Sequence, residues 1–178
     1  GADDDDSDDD SADFADGVWF IELAPITDPT LVPTTVAEVL GVHEESGRLL
    51  FATLLEFLRR RKILLVLDNC EHLVEACARF AETVLHACKE VRILASSREA
   101  LAITGELVWR MPTLPTPDPK ANESSDQLMQ YAAVRLFVAR AAFASPSFKL
   151  TADNASAVAR ICWQLDGIPL ALELAADL

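Results

Sequence analysis

Glycine is scarce in this chain, with six in 178 residues, and none of the four lysines (Lys62, Lys89, Lys120, Lys149) follows one. A Gly-x-x-x-x-Gly-Lys-Ser/Thr loop, whose backbone N–H groups and lysine cradle phosphates, is therefore absent from these residues. Long hydrophobic runs are lacking too. Nothing approaches the ~18 apolar residues of a membrane helix, and no signal peptide opens the chain, so the expectation is a cytoplasmic protein without a membrane partner. The first residue is Gly rather than Met, which points to a cut start and a fragment of a longer protein. Positive charge is short: 15 basic residues face 29 acidic ones, for a net charge of −14. Nine of those negative charges are Asp within residues 1–16, leaving −5 for the rest and no electrostatic case for direct nucleic-acid binding. The tract ADDDDSDDDSAD reads as a disordered, solvated segment, and a calcium loop would need a central Gly and closing Glu that it lacks. Of four cysteines, no pair has the short spacing of a zinc site. Cys70, Cys77 and Cys88 fall instead on one face of a helix expected over 70–88, as reduced thiols in a core stripe.

What is present is an apolar share of 51%, ample for a core, and one informative stretch, KILLVLDNCEH from Lys62 to His72. Ile63 to Leu67 form a short apolar run that ends abruptly in Asp68-Asn69, the pattern of a strand buried on both faces in a parallel sheet. Asp68 then stands at the strand's C-terminal end, the edge where open α/β sheets bind ligands. An ionised carboxylate there calls for a cation, Arg or Mg²⁺; the plainer role is capping the next helix.

Around this strand the chain alternates. Val18 to Leu23 reads as a strand, and helices are expected from Asp28 to Leu40 and from about Arg48 to Arg61. After the helix at 70–88, Val91 to Ser96 is another strand, ending in Ser96-Ser97-Arg98. Two parallel strands joined by a helix put their C-terminal ends on one edge, so Arg98 is expected near Asp68, with Glu99 or Glu106 as alternative surface partners. The basic run Arg59–Lys62 precedes a strand, at the wrong edge for a ligand, and offsets the dipole of the preceding helix. A last strand is expected over 107–111. Four prolines between 112 and 119 then mark a linker. Beyond it the spacing predicts helices over 126–144 and 152–165, and one opened by Pro169.

Three segments in this order, ILLVLDNCEH, RILASSREAL and GIPLALELAA, resemble the nucleotide-binding module of STAND-class (NB-ARC-like) ATPases. The resemblance is greatest to modules of LuxR- and AfsR-type bacterial transcriptional regulators, and it runs from Asp16 to the C-terminus. It implies an α/β, three-layer P-loop NTPase-like parallel sheet, lacking its first strand and P-loop, followed by an all-α lid. The divisions are then an acidic segment 1–16, a partial core 17–112, a linker 113–125 and a lid 126–178. By the same resemblance Asp68 is similar to the Walker B aspartate holding Mg²⁺ through water. Arg98, after Ser97, is similar to the sensor arginine at the terminal phosphate, and Pro169 to the proline packing on the nucleotide from the lid. ATP or ADP with Mg²⁺ are the implied ligands, and DNA would be reached only through a domain outside this chain. Where many relatives carry a second acid after the Walker B Asp, this chain has Asn69, which orients water but cannot take its proton; slow hydrolysis follows. Glu71 is acidic but two residues further on.

Two other readings compete: a scaffold that kept the fold and lost nucleotide, and a receiver-like domain. The second needs an acidic pair after a first strand and a Lys after a fifth, and neither is present. The family's sheet order also implies that the missing first strand leaves the 91–96 edge open to residues 107–111 or to self-association. With no phosphate loop, residues 1–178 alone should bind Mg·ATP weakly in a calorimetric titration; micromolar affinity would overturn the motif assignment.

Overall fold

The computed structural model describes residues 14–121 and 123–177, so the tract ADDDDSDDDSAD, expected to be a disordered segment, lies outside the described residues. The chain divides into two compact units, one ending at Val108 and one beginning at Trp109.

The first unit is built on three parallel strands in sequence order, β1 (Val18–Glu22), β2 (Leu64–Asp68) and β3 (Arg92–Ala95). Their register aligns Phe20, Val66 and Leu94 in one row, and Ile21, Leu67 and Ala95 in the next. Three helices connect them: α1 (Val32–Val39), α2 (Leu50–Leu58) and α3 (Val74–Ala87). Asp28 caps the turn before α1 by accepting from Thr30 N–H at 2.9 Å, and Pro29 follows where no N–H is needed.

The core lies between the helices and one sheet face, where Ile21, Leu65 and Leu67 meet Val36, Leu54, Cys77, Phe80 and Val84. Each fully buried leucine of β2 contributes about 1.5–3 kcal/mol. The opposite face carries Val18, Phe20 and Leu94, all exposed, with Phe20 at 58%. Right-handed crossovers between strands laid down in one direction put every connecting helix on the same side. This unit is thus two-layered among the described residues, against the three layers expected.

Residues 14–16 are not free of the fold. The Asp16 carboxylate accepts from Lys62 N–H at 2.7 Å and meets Arg61 at 3.5 Å, tying the chain to the start of β2. Arg61 also stacks on Phe57, 4.0 Å from the ring centroid. Residues 107–111 form no strand, contrary to expectation. Leu107 is 93% exposed, and β3 has no strand partner on its outer side among the described residues. An apolar alternating segment makes a strand only if an edge is within reach to pair its N–H and C=O groups.

The second unit contains α4 (Ser125–Leu128), α5 (Ala132–Ala144), α6 (Ala152–Gln164) and α7 (Pro169–Ala176). Its own core gathers Leu128, Val134, Phe137, Val158, Cys162 and Leu172. Arg140 on α5 pairs with Glu173 on α7 at 2.8 Å. The single helix expected over 126–144 is broken at 129–131, where the Arg135 guanidinium donates to the carbonyls of Met129 and Gln130 at 3.3 and 2.8 Å. The proline-rich stretch is extended and fastened within this unit: Leu114 N–H donates to Gly167 O at 3.0 Å, and Ala133 N–H to Pro115 O at 3.3 Å.

Gly167 sits at φ +65°, and a Cβ there would lie 2.0 Å from Leu114 O. Gly41 has a similar φ of +68° but nothing within 4 Å of that position. Gly41→Ala should therefore cost about 1 kcal/mol, the left-handed strain alone. Gly167→Ala should cost clearly more, ~2 kcal/mol or above, because backbone must shift. Urea denaturation of the two variants compares them; equal losses would show that the Leu114 contact is soft.

Candidate functional site

The C-terminal ends of β2 and β3 are knotted together by one residue, Ser96. Its N–H donates to Leu67 O at 2.9 Å and its carbonyl accepts from Cys70 N–H at 3.0 Å. Its hydroxyl donates to Asp68 Oδ1 and accepts from Asn69 N–H at 2.9 Å. On the other side Asp68 O accepts from Leu23 N–H at 3.0 Å, so the aspartate is held through its backbone beside β1 and through its side chain beside β3.

Asn69 makes this possible by turning into the left-handed region, with φ 66° and ψ 51°, a conformation asparagine tolerates better than most residues. A single 3-10 turn, Cys70–His72, follows, and Leu73 at φ −130° separates it from α3. Cys70 therefore lies off the helix expected to begin there, though it is buried all the same. His72 Nε2 stands 2.7 Å from Ile26 O; a carbonyl only accepts, so Nε2 carries the proton. That leaves Nδ1 as the acceptor for the Asn69 side-chain amide at 3.4 Å. The Asn69 amide nitrogen is thus already engaged with protein.

Arg98 does not pair with Glu99 or Glu106, the surface partners considered from sequence. It forms an ion pair with Glu71 instead, Nε lying 3.0 Å from Oε1. Glu106 accepts instead from Leu101 and Ala102 N–H at 2.9 and 2.7 Å. Ser97 Oγ accepts from Glu99 N–H at 3.2 Å, which makes it a turn residue rather than the companion of Asp68. Pro169 opens α7 in the second unit, at a position where its missing N–H costs nothing.

The charges of Asp68 and Glu71 both reach the Cys70 thiol. Cys70 beside them has its thiol pushed above the ordinary range, by Cys77 first, then by burial, then by the charges of Asp68 and Glu71. Cys77 moves the other way because Cys70 hydrogen-bonds to it. Glu22 is the register partner of Asp68 on β1, so it adds a third carboxylate along this edge. Asp68 Oδ2 accepts no hydrogen bond among the described residues and is open to a hydrated cation. Magnesium is held through one or two carboxylates plus waters and phosphates rather than by a full protein cage. Among the described residues, no three His, Cys, Asp or Glu side chains come together as a metal cage, so only Asp68 and water would be left to hold such an ion.

Sequence reasoning reached Asp68 and its edge, with Ser96 as half of a hydroxyl pair at a strand end and Glu71 as a displaced acid, but passed over Glu22. Neither the direction in which Glu71 points nor the register that brings Glu22 alongside Asp68 is written locally.

Comparison with known proteins gives a consistent set of relatives. Over 166 residues, 93% of this chain, it is 42% identical to proteins of Mycobacterium bovis and Mycobacterium tuberculosis, each named "Putative HTH-type transcriptional regulator". It is 38% identical over 163 residues to an uncharacterized Mycobacterium tuberculosis protein, 38% of whose length is covered. The chain spans only 17% of the length of the first relatives. No protein-family profile matches, and no solved structure does. No helix among the described residues is long and apolar enough to cross a membrane.

Removing the Ser96 hydroxyl leaves Asp68 Oδ1 without its donor and Asn69 N–H without its acceptor. Ser96→Ala should cost about 1–3 kcal/mol by urea denaturation, whereas Ser97→Ala should change little. Equal effects of the two would mean that the knot is not what fixes this edge.

Proposed function

We propose that this chain is the Asp68-bearing part of a nucleotide-operated switch, of the STAND (NB-ARC-like) class of P-loop NTPase modules, within a bacterial transcriptional regulator. The observation that carries the reading is the strand-end knot: a central parallel strand delivers Asp68 with one free carboxylate oxygen, and the next strand end delivers Arg98 to the same edge through Glu71. The names of the 42% identical relatives support the regulatory setting.

In this reading Asp68 holds Mg²⁺ through water, and the ion supplies charge neutralisation to the phosphates of ATP or ADP. Arg98 offers its guanidinium to the terminal phosphate, a pairing whose fork geometry suits oxyanions. Ser97 shapes the turn that presents Arg98. Pro169 starts the lid helix that would pack on the nucleotide. Asn69, tethered to His72, gives no base for the attacking water, which suits a slow switch better than a fast enzyme. The phosphate-gripping loop would have to come from outside these 178 residues. DNA would be met by another domain, and the open outer edge of β3 is a candidate for self-association.

A scaffold that keeps the fold without nucleotide is the second reading, favoured by the engagement of Asn69 and Arg98 with protein groups. Nucleotide titration of the chain with its natural flanking sequence separates the two. Asp68→Asn should abolish Mg²⁺-dependent turnover with the melting temperature nearly unchanged, and Arg98→Ala should weaken ATP more than ADP. Loss of both nucleotides to the same extent would make Arg98 a structural ion pair.

A further inference from the structure

Arg98 and Glu71 are unlike partners. The arginine side chain is 82% exposed and the glutamate side chain only 18%. The contact is an ion pair, with Nε 3.0 Å from Oε1, and Arg98 makes no side-chain hydrogen bond among the described residues. A guanidinium has five N–H donors, so an exposed arginine that is only ion-paired keeps donors for a second oxyanion. Glu71 follows the left-handed turn at Asn69 and lies in the 3-10 turn after it, where its charge reaches the Cys70 thiol. A mostly buried carboxylate loses its counter-charge if Arg98 leaves, and that loss is unfavourable.

We infer that Glu71 is a positioning residue that holds Arg98 in reserve at this edge and competes with the terminal phosphate of the nucleotide for it. The inference rests on the nucleotide-switch reading. An incoming oxyanion must draw the guanidinium partly off Glu71, so some of the attraction between Arg98 and phosphate is spent on breaking that pair. Only a nucleotide whose last phosphate reaches Arg98 meets the competition. ATP affinity is therefore held down relative to ADP by Glu71, and the resting state is biased towards the diphosphate. Glu71 sets how strongly the site discriminates between the two forms.

The test is a calorimetric titration of Mg·ATP and Mg·ADP into the chain with its natural flanking sequence, as wild type, Glu71→Gln, Arg98→Ala and the double variant. Glu71→Gln should tighten ATP about two- to fivefold, the range of a partly exposed ion pair, and leave ADP unchanged. In the Arg98→Ala background the same change should have no effect. Glu71→Asp keeps the charge and should shift ATP less than Glu71→Gln does. Equal weakening of both nucleotides by Glu71→Gln, or an effect that persists without Arg98, would overturn the inference while leaving the switch reading in place. If the wild-type protein binds neither nucleotide, the switch reading fails and this inference goes with it.

Discussion

The hydroxyl of Ser96 is the constraint on which the candidate site depends. A strand-end aspartate is free to choose among rotamers unless something fixes it. Here one oxygen is fixed by a donor from the neighbouring strand, and the backbone N–H that follows returns to the same hydroxyl. The left-handed turn at Asn69 lets both bonds form at once. It also sends Glu71 back to the edge, where it meets Arg98. Three contacts thus follow from one serine and one unusual backbone angle.

The sheet explains why the edge is accessible. Strand order 1-2-3 has no reversal, so the crossover helices stack on one face and the other face keeps Val18, Phe20 and Leu94 exposed. Ligand crevices in open α/β sheets form where strand order reverses, because adjacent loops then diverge. Within the described residues no such reversal occurs. The edge at Asp68 carries carboxylates and an arginine, and a phosphate would further call for a nest of backbone N–H groups.

The helical unit is organised differently. Its core is assembled from α4, α5, α6 and α7, and the proline-rich stretch is bonded along it through Leu114 and Pro115. Proline density alone reads as a spacer, since proline removes donors and stiffens the chain. Yet the carbonyls and the remaining N–H groups are still available, and here they are used. Gly167 is the point of closest approach, where only the absence of a side chain admits the Leu114 carbonyl.

The sequence by itself determined the three short strands, the position of Asp68 at the end of the central one, and the helical character of the region after the prolines. These follow from local period, apolar run length and breaker residues, which need no knowledge of distant partners. The tertiary structure decided the rest. Whether 107–111 becomes a strand depends on an edge to pair with. Which residue meets Arg98 depends on the direction of a turn 27 residues earlier in the chain, and whether prolines link or dock depends on Gly167, far along the sequence. Each of these is a contact between segments remote in sequence, and a pattern read over a dozen residues carries no information about what such a segment will meet.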